Sequence, residues 1–299
     1  MPDRLRYILG KLSQPAGTLR GLRLRADMAW LRLRNRFSRR AVATGQPGAV
    51  VSLTTYGKRA RAVYLAIESI ARGRARPSRL ILWLDDAALY ADLPLALLRL
   101  KRRGLEIRLS KNYGPHKKYY PYVESESDFT HPLATADDDV IYPRSWLSGL
   151  LAAHRQFPTC VNCYRARVMK LIDGKIAPYR EWPLSESTDP SYRTVATGVS
   201  GVIYPSRLLA ELKAAGTEFE TRCPKADDLW LHVRAIRSGF PIRQMQPEPI
   251  HFPMIPGSQE SSLYADNCAQ DDGNDRQLAV TYESGDLELF ASNRLPVHA

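Results

Sequence analysis

Four short apolar runs interleaved with helical patterns constrain this chain more than any other feature. "AVVSLTT" (residues 49–55) is β-branched and compact, and "RLILWLDD" (79–86), the alternating "LEIRLS" (105–110) and a shorter run in "THPLATADDD" (130–139) follow it. "VYLAIESIARG" lies between the first two runs, with Val63, Ile67 and Ile70 at helical spacing. "LPLALLRLKRRG" follows the second run and stops at Gly104. Strands joined through single helices predict an α/β fold: a mostly parallel central sheet with right-handed crossovers and flanking helices.

Ligands of such sheets bind beyond the carboxyl ends of the strands. A polar cluster follows each run: "TTYGKR", then Asp85 and Asp86, then "KNYGPHKKYY", then Asp137, Asp138 and Asp139. These four clusters are expected to converge on one cleft. From about residue 155 the pattern is less regular, with mixed strands such as "GVSGVIYP" and an amphipathic helix "DDLWLHVRAIRSG". From His251 onward, Pro, Ser, Asn and Asp predict a long loop or lid and a poorly ordered tail. The expected organisation is a basic segment over 1–45, a domain over 46–250 divided near 145, and a C-terminal lid and tail over 251–299.

The 299 residues are 44% hydrophobic, ample for a sizeable core, and carry a formal net charge of +12. Residues 1–40 hold eleven Lys and Arg against Asp3 and Asp27, so nine of the twelve net charges sit there. Leu19, Leu22, Met28, Trp30, Leu31, Leu33 and Phe37 are scattered among these arginines. This composition suits a helix lying in an anionic membrane interface, although a solvated basic arm or a helix packed on the domain is also compatible. Nucleic acid is not the expected partner, because no basic, aromatic-interleaved motif continues into the body. No apolar run approaches the roughly 20 residues that span a bilayer. Nor does the N-terminus carry an uninterrupted apolar signal core. The expectation is a cytoplasmic protein, peripheral on the inner face of the membrane if the source is bacterial. Cys160, Cys163, Cys223 and Cys268 are too few for a disulfide scaffold, and "CVNC" reads as ordinary thiols on a strand.

Three adjacent carboxylates repel one another, and an unneutralised cluster raises its own pKa values without structural benefit. Along an extended strand end, Asp137 and Asp139 would share one face and Asp138 the other. Two carboxylates in one direction suit a hard divalent cation such as Mn2+ or Mg2+. An acidic turn before the helix near Pro143 is the plainer alternative. A second pair, Asp227 and Asp228, heads an amphipathic helix. The macrodipole explains carboxylates there, and so does a general base for an acceptor hydroxyl.

"VSLTTYGKR", "TADDDVIYP", "TGVSGVIYP" and "KADDLWL", in this order between about residues 50 and 237, resemble the motifs of GT-A-type glycosyltransferases. The likeness is to family 2-like enzymes of bacterial surface-polysaccharide synthesis, such as those of capsule and lipopolysaccharide. The resemblance implies a GT-A, Rossmann-like domain with a nucleotide-sugar half over 46–145 and a less regular acceptor half over 146–250. It implies a DxD element in which Asp139 is the foremost metal ligand, with Asp137 at metal or ribose and Asp138 alongside. Thr54, Tyr56 and Arg59 would lie against the nucleotide, and Lys117 or Lys118 against phosphate. Asp228, slightly ahead of Asp227, would be the base of an inverting transfer. Gly198, Gly201 and Trp230 would border sugar and acceptor, and His251 would complete the metal site. Implied partners are a nucleotide-sugar donor, foremost a UDP-sugar, and a glycan or lipid-linked acceptor. Two alternatives stand: a nucleotidyltransferase acting on sugar phosphates, and a non-catalytic membrane- or nucleic-acid-binding protein with a transferase-like fold.

Overall fold

The computed structural model describes residues 15–258 and 273–292. Among these residues the strands are β1 (Val50–Thr54), β2 (Arg79–Leu84), β3 (Leu105–Leu109), β4 (Leu133–Ala136), β5 (Val161–Cys163), β6 (Ala166–Val168), β7 (Leu171–Ile172), β8 (Lys175–Ile176), β9 (Thr194–Ala196), β10 (Val202–Tyr204) and β11 (Ile242–Gln244). Seven of them form one sheet in the order β11-β5-β10-β4-β1-β2-β3, while β6 pairs with β9 and β7 with β8. Strand β1 runs parallel to both β2 and β4, β2 to β3, and β11 to β5. Only β10 runs against its two neighbours. The expected mostly parallel α/β sheet is therefore the one found.

Strand alternation divides the core into two apolar layers, one on each face of the sheet. Val50, Ile81, Trp83, Leu133, Val202 and Tyr204 point to one face. Val51, Leu53, Leu80, Leu82, Ala134 and Ile203 point to the other. Helices Val63–Ala71, Leu95–Arg102 and Trp146–Gln156 cover the second face, and Ser206–Ala214 and Asp227–Arg237 cover the first. Residues on both sides of position 145 contribute to each layer, so the two sequence halves share one core. Gly104 ends its helix at φ 93°, a left-handed conformation that a side chain disfavours.

The basic segment is a helix, Pro15–Phe37, seated on the domain. Met28 and Leu31 pack with Leu65, Ile141 and Ile255. Arg34 Nε donates to the buried Glu68 carboxylate at 3.0 Å, Asn35 donates to it at 3.3 Å, and Arg103 pairs with it from the domain. The first fourteen residues of the expected segment lie outside the described part.

At the other end, residues 251–258 run alongside the segment after β4, with Ile141 N–H donating to the Pro253 carbonyl at 2.9 Å. Beyond them the expected loose tail is corrected over 273–292, which folds as helices Gly273–Thr281 and Ser284–Ser292. Arg237 donates to Asp286 at 2.7 Å, and Phe290 is buried in the shared core. Polar composition disguised these helices, because only one side of each needs apolar residues. No helix among the described residues is long and apolar enough to cross a membrane.

Candidate active site

Beyond the carboxyl ends of β1, β2 and β4 lies a cleft of about 520 Å³. The four polar clusters of the sequence meet there. Thr54, Tyr56 and Arg59 come from the end of β1 and the loop beyond it, Asp85 from β2, Lys117 and Lys118 from the turn after β3, and Asp137 to Asp139 from β4. The second half adds Gly198 from the turn before β10, and Asp227 and Asp228 from the first turn of their helix. Two acidic groups some ninety residues apart thus face one volume.

Strand β4 ends at Ala136, and the three Asp residues lie on the turn beyond it. Pleat alternation does not govern them, which corrects the expected division of the triplet. Asp138 and Asp139 share a partner: Arg59 holds Asp138 at 2.8 Å and Asp139 at 3.0 Å. Thr55 Oγ1 donates to the other Asp138 oxygen at 2.6 Å. Asp137 instead meets the Lys118 ammonium at 2.5 Å. The Asp137 amide donates to the Tyr142 hydroxyl at 2.7 Å, which fixes the turn.

Burial pushes Asp138 up to about 6, against the opposing pull of Arg59 and the Thr55 hydrogen bond. Burial and the neighbouring Asp137 raise Asp139 as well. Burial alone would lower the Lys118 ammonium, but Asp137, Asp227 and Asp228 together hold it well above its ordinary value. Lys118 is thus a fixed cation between the two acidic groups. Lys117 is buried and engaged by Asp85.

Asp228 Oδ1 accepts the Gly198 amide at 3.0 Å. Burial and the adjacent Asp227 push Asp228 up to about 8, with Lys118 pulling the other way. Asp227 is likewise raised, first by burial. Position 198 tolerates little bulk, because an added Cβ would lie 3.2 Å from Asp228 Oδ1 and 3.6 Å from Lys118 Nζ.

Three expected residues lie outside this cleft. Gly201, at φ 99°, backs onto Trp146, where an added Cβ would stand 2.5 Å from the indole nitrogen. Its small size serves packing. Trp230 is buried in the core beside Phe219, with ring centroids 6.3 Å apart, on the inner side of its helix. His251 is exposed: the adjacent Phe252 turns inward against Tyr164 and Tyr142, and extended alternation turns His251 outward. The same strand-like segment brings Met254 to the cleft wall and Ser258 to Arg59, whose Nη2 donates to the Ser258 carbonyl at 2.8 Å. Thr55, Tyr142, Met254 and Ser258 were missed by sequence reasoning. Thr55 had a signal, as the second Thr of "TTYGKR".

Other titratable groups are structural. His116 is pushed down to about 3 by burial and stacks on Phe219 at 4.1 Å. His232 falls to about 4 by burial, between the Tyr282 hydroxyl and the Tyr192 carbonyl. Cys160, Cys163 and Cys223 are buried free thiols, raised by burial and so unreactive. Cys268 lies outside the described residues.

Among the described residues, no group of three or more His, Cys, Asp or Glu side chains converges to hold a metal by itself. The charge balance nevertheless favours a cation. Six carboxylates line the cleft (Asp85, Asp137, Asp138, Asp139, Asp227 and Asp228) against Arg59, Lys117, Lys118 and Lys225, leaving a formal excess of two negative charges. Raised Asp138, Asp139, Asp227 and Asp228 express that excess as proton affinity. A hard divalent ion would match both the oxygen donors and the missing charge, and Asp139 and Asp137 are side chains that could hold it.

No protein-family model and no curated protein matches the chain. Among solved structures, it is similar to the crystal structure of S. aureus TarS 1-349, with 14% sequence identity over 81% of this chain and 68% of that chain and a TM-score of 0.47.

Proposed function

We propose that this chain is a metal-dependent, inverting glycosyltransferase. It moves a sugar from a nucleoside-diphosphate sugar, a UDP-sugar by the motif resemblance, to a hydroxyl of a glycan or lipid-linked acceptor in cell-surface polysaccharide synthesis. The observation that carries the proposal is the convergence of two acidic groups on one cleft with Lys118 between them. Sugar transfer from a diphosphate needs two separated tasks, stabilisation of an anionic leaving group and removal of a proton from the acceptor.

Asp139 and Asp137 would hold Mn2+ or Mg2+, which when bound neutralises charge on the departing diphosphate. Lys118 is the chain's own cation for the same oxygens. Lys117 is engaged by Asp85 and serves the wall. Arg59 and Asp138 separate the main cleft from an adjoining cavity of about 480 Å³, bounded by Tyr56 and the loop Ile255 to Ser258. This cavity suits the nucleoside. The Gly198 amide fixes Asp228 so that its free oxygen can accept the acceptor proton, with burial first and the adjacent Asp227 second making Asp228 basic. Cytoplasmic placement, at the inner membrane face, follows from the origin of nucleotide sugars.

The test is transfer from a panel of nucleotide sugars with Mn2+ and with EDTA, for the wild type and Asp139→Ala. Metal-dependent release of the nucleoside diphosphate, lost in the variant, is expected. Activity that survives both EDTA and the substitution overturns the metal assignment. Pyrophosphate released from UTP and a sugar phosphate would instead identify a nucleotidyltransferase.

A further inference from the structure

The helix Pro15–Phe37 is apolar along two opposite faces. The inner face, Leu24, Met28, Leu31 and Asn35, recurs at three- and four-residue spacing and is the one packed on the domain. A second stripe, Leu19, Leu22, Ala26, Trp30, Leu33 and Phe37, follows the same spacing on the far side, and all six residues are exposed. Leu22 and Leu33 are each 57% exposed and Phe37 68%. A helix that only needed to cover the domain would be polar there.

Arginines border the outer stripe along both edges. Arg25, Arg32 and Arg36 form one edge, all exposed, and the exposed Arg23 lies along the other, where Arg34 turns inward to Glu68. The domain adds the exposed Arg144, whose guanidinium carbon stands 5.9 Å from the Trp30 ring, while Arg72, 5.6 Å from that ring, is paired with Asp27 of the helix at 2.8 Å. An apolar strip between two cationic rows matches the layering of an anionic bilayer surface, with acyl chains below and phosphates at the sides. A second copy of the chain is a poor occupant, since it would bring arginine rows against arginine rows. Duplex nucleic acid would meet the arginines but leave the apolar strip against phosphate.

We propose that this outer face is a docking surface for an anionic lipid membrane. The inner face holds the helix rigidly through Glu68, so docking orients the whole domain. Met28 and Leu31 also pack on Ile141 and Ile255, which flank the Asp137 to Asp139 turn, so the seated helix lies against the segment that carries the cleft carboxylates. The proposal is independent of the transferase reading, because lipid binding requires no turnover.

The experiment is flotation of the full chain with phosphatidylcholine vesicles with and without phosphatidylglycerol, for the wild type and Leu22→Glu/Leu33→Glu/Phe37→Glu. These positions leave the inner face untouched, and circular dichroism with a thermal midpoint confirms the fold. The wild type is expected to float only with the anionic vesicles and to be released by high salt, and the variant to lose about tenfold or more of its partition. Equal flotation of the variant overturns the proposal. So does failure of the wild type to float, whether the chain proves dimeric through this face by light scattering or binds duplex DNA instead.

Discussion

The ammonium of Lys118 lies 2.5 Å from the Asp137 carboxylate and faces Asp227 and Asp228 from the other half of the fold. It lowers the proton affinity of Asp228, Asp227 and Asp139. Removing it in Lys118→Ala withdraws a positive charge, so the ionised forms of those carboxylates are disfavoured and their pKa values rise. The alkaline rise of kcat/KM, set by ionisation of the base, should therefore move to higher pH. The rate on the plateau should fall about 100-fold through loss of a fixed cation at the leaving group. A pH-rate profile of both proteins checks this. A plateau loss with no displacement of the limb would separate Lys118 from the base.

Asp139→Ala should abolish the stimulation by Mn2+ and reduce transfer by roughly 100- to 1000-fold. Arg59 keeps its 2.8 Å contact with Asp138, so the turn retains an ion pair and the fold should survive. Titration calorimetry with Mn2+ plus nucleoside diphosphate, beside the thermal midpoint, distinguishes loss of the ligand from loss of structure. Unaltered Mn2+ affinity in this variant would move the metal to Asp137.

Much of this cleft could be read from the chain because parallel sheets converge their carboxyl ends. Once "VVSLT", "RLILWL", "LEIRL" and "LATA" are strands, the clusters after them have one place to meet. The position of the second acidic pair was legible only through motif resemblance, since nothing local relates Asp228 to Gly198 thirty residues away. The division of Asp137 to Asp139 failed because pleat alternation was carried one step beyond the end of β4, into a turn where Arg59 and Lys118 choose the partners. Trp230 and Gly201 misled for a common reason. An aromatic or a glycine near a motif satisfies packing as readily as binding, and burial decides which. The arginine-rich helix was recognised as basic and apolar, but its two stripes emerged only when Glu68 and Leu65 identified the inner one.

Asp228→Asn should inactivate transfer, by about 100-fold or more, while making the protein more stable at alkaline pH. The folded-state pKa of Asp228 is raised to about 8, so the folded chain holds a proton that the unfolded chain releases near the ordinary carboxylate value of about 4. Stability of the wild type therefore falls as pH rises through that window, and the asparagine variant lacks this slope. Its amide oxygen can still accept the Gly198 N–H, so the hydrogen bond is retained. Urea unfolding at acid and alkaline pH should give an advantage to the variant that is largest above pH 8 or so and vanishes toward about pH 4. A constant difference across pH would mean that the carboxylate is not strained by its surroundings.

Glu68 is the point on which the N-terminal helix is fixed to the domain. Its carboxylate is fully buried and engages Arg34 at 3.0 Å, Asn35 at 3.3 Å and the Arg103 guanidinium. Replacing both partners of such a pair with apolar groups can be neutral, but deleting one leaves the other charged and unsatisfied in the interior. Two arginines would be stranded by Glu68→Ala. The loss should reach about 3–5 kcal/mol in urea unfolding, larger than a cavity left by the four lost heavy side-chain atoms alone would produce. Because Arg34 and Asn35 belong to the helix and Arg103 to the domain, the same change should loosen the helix before the sheet. Limited proteolysis near Phe37 should then precede global unfolding. The double variant Arg34→Met/Glu68→Met should recover part of the loss, since it removes a charge on each side of the interface. Equal instability of single and double variants would show that packing, not charge, holds the helix in place.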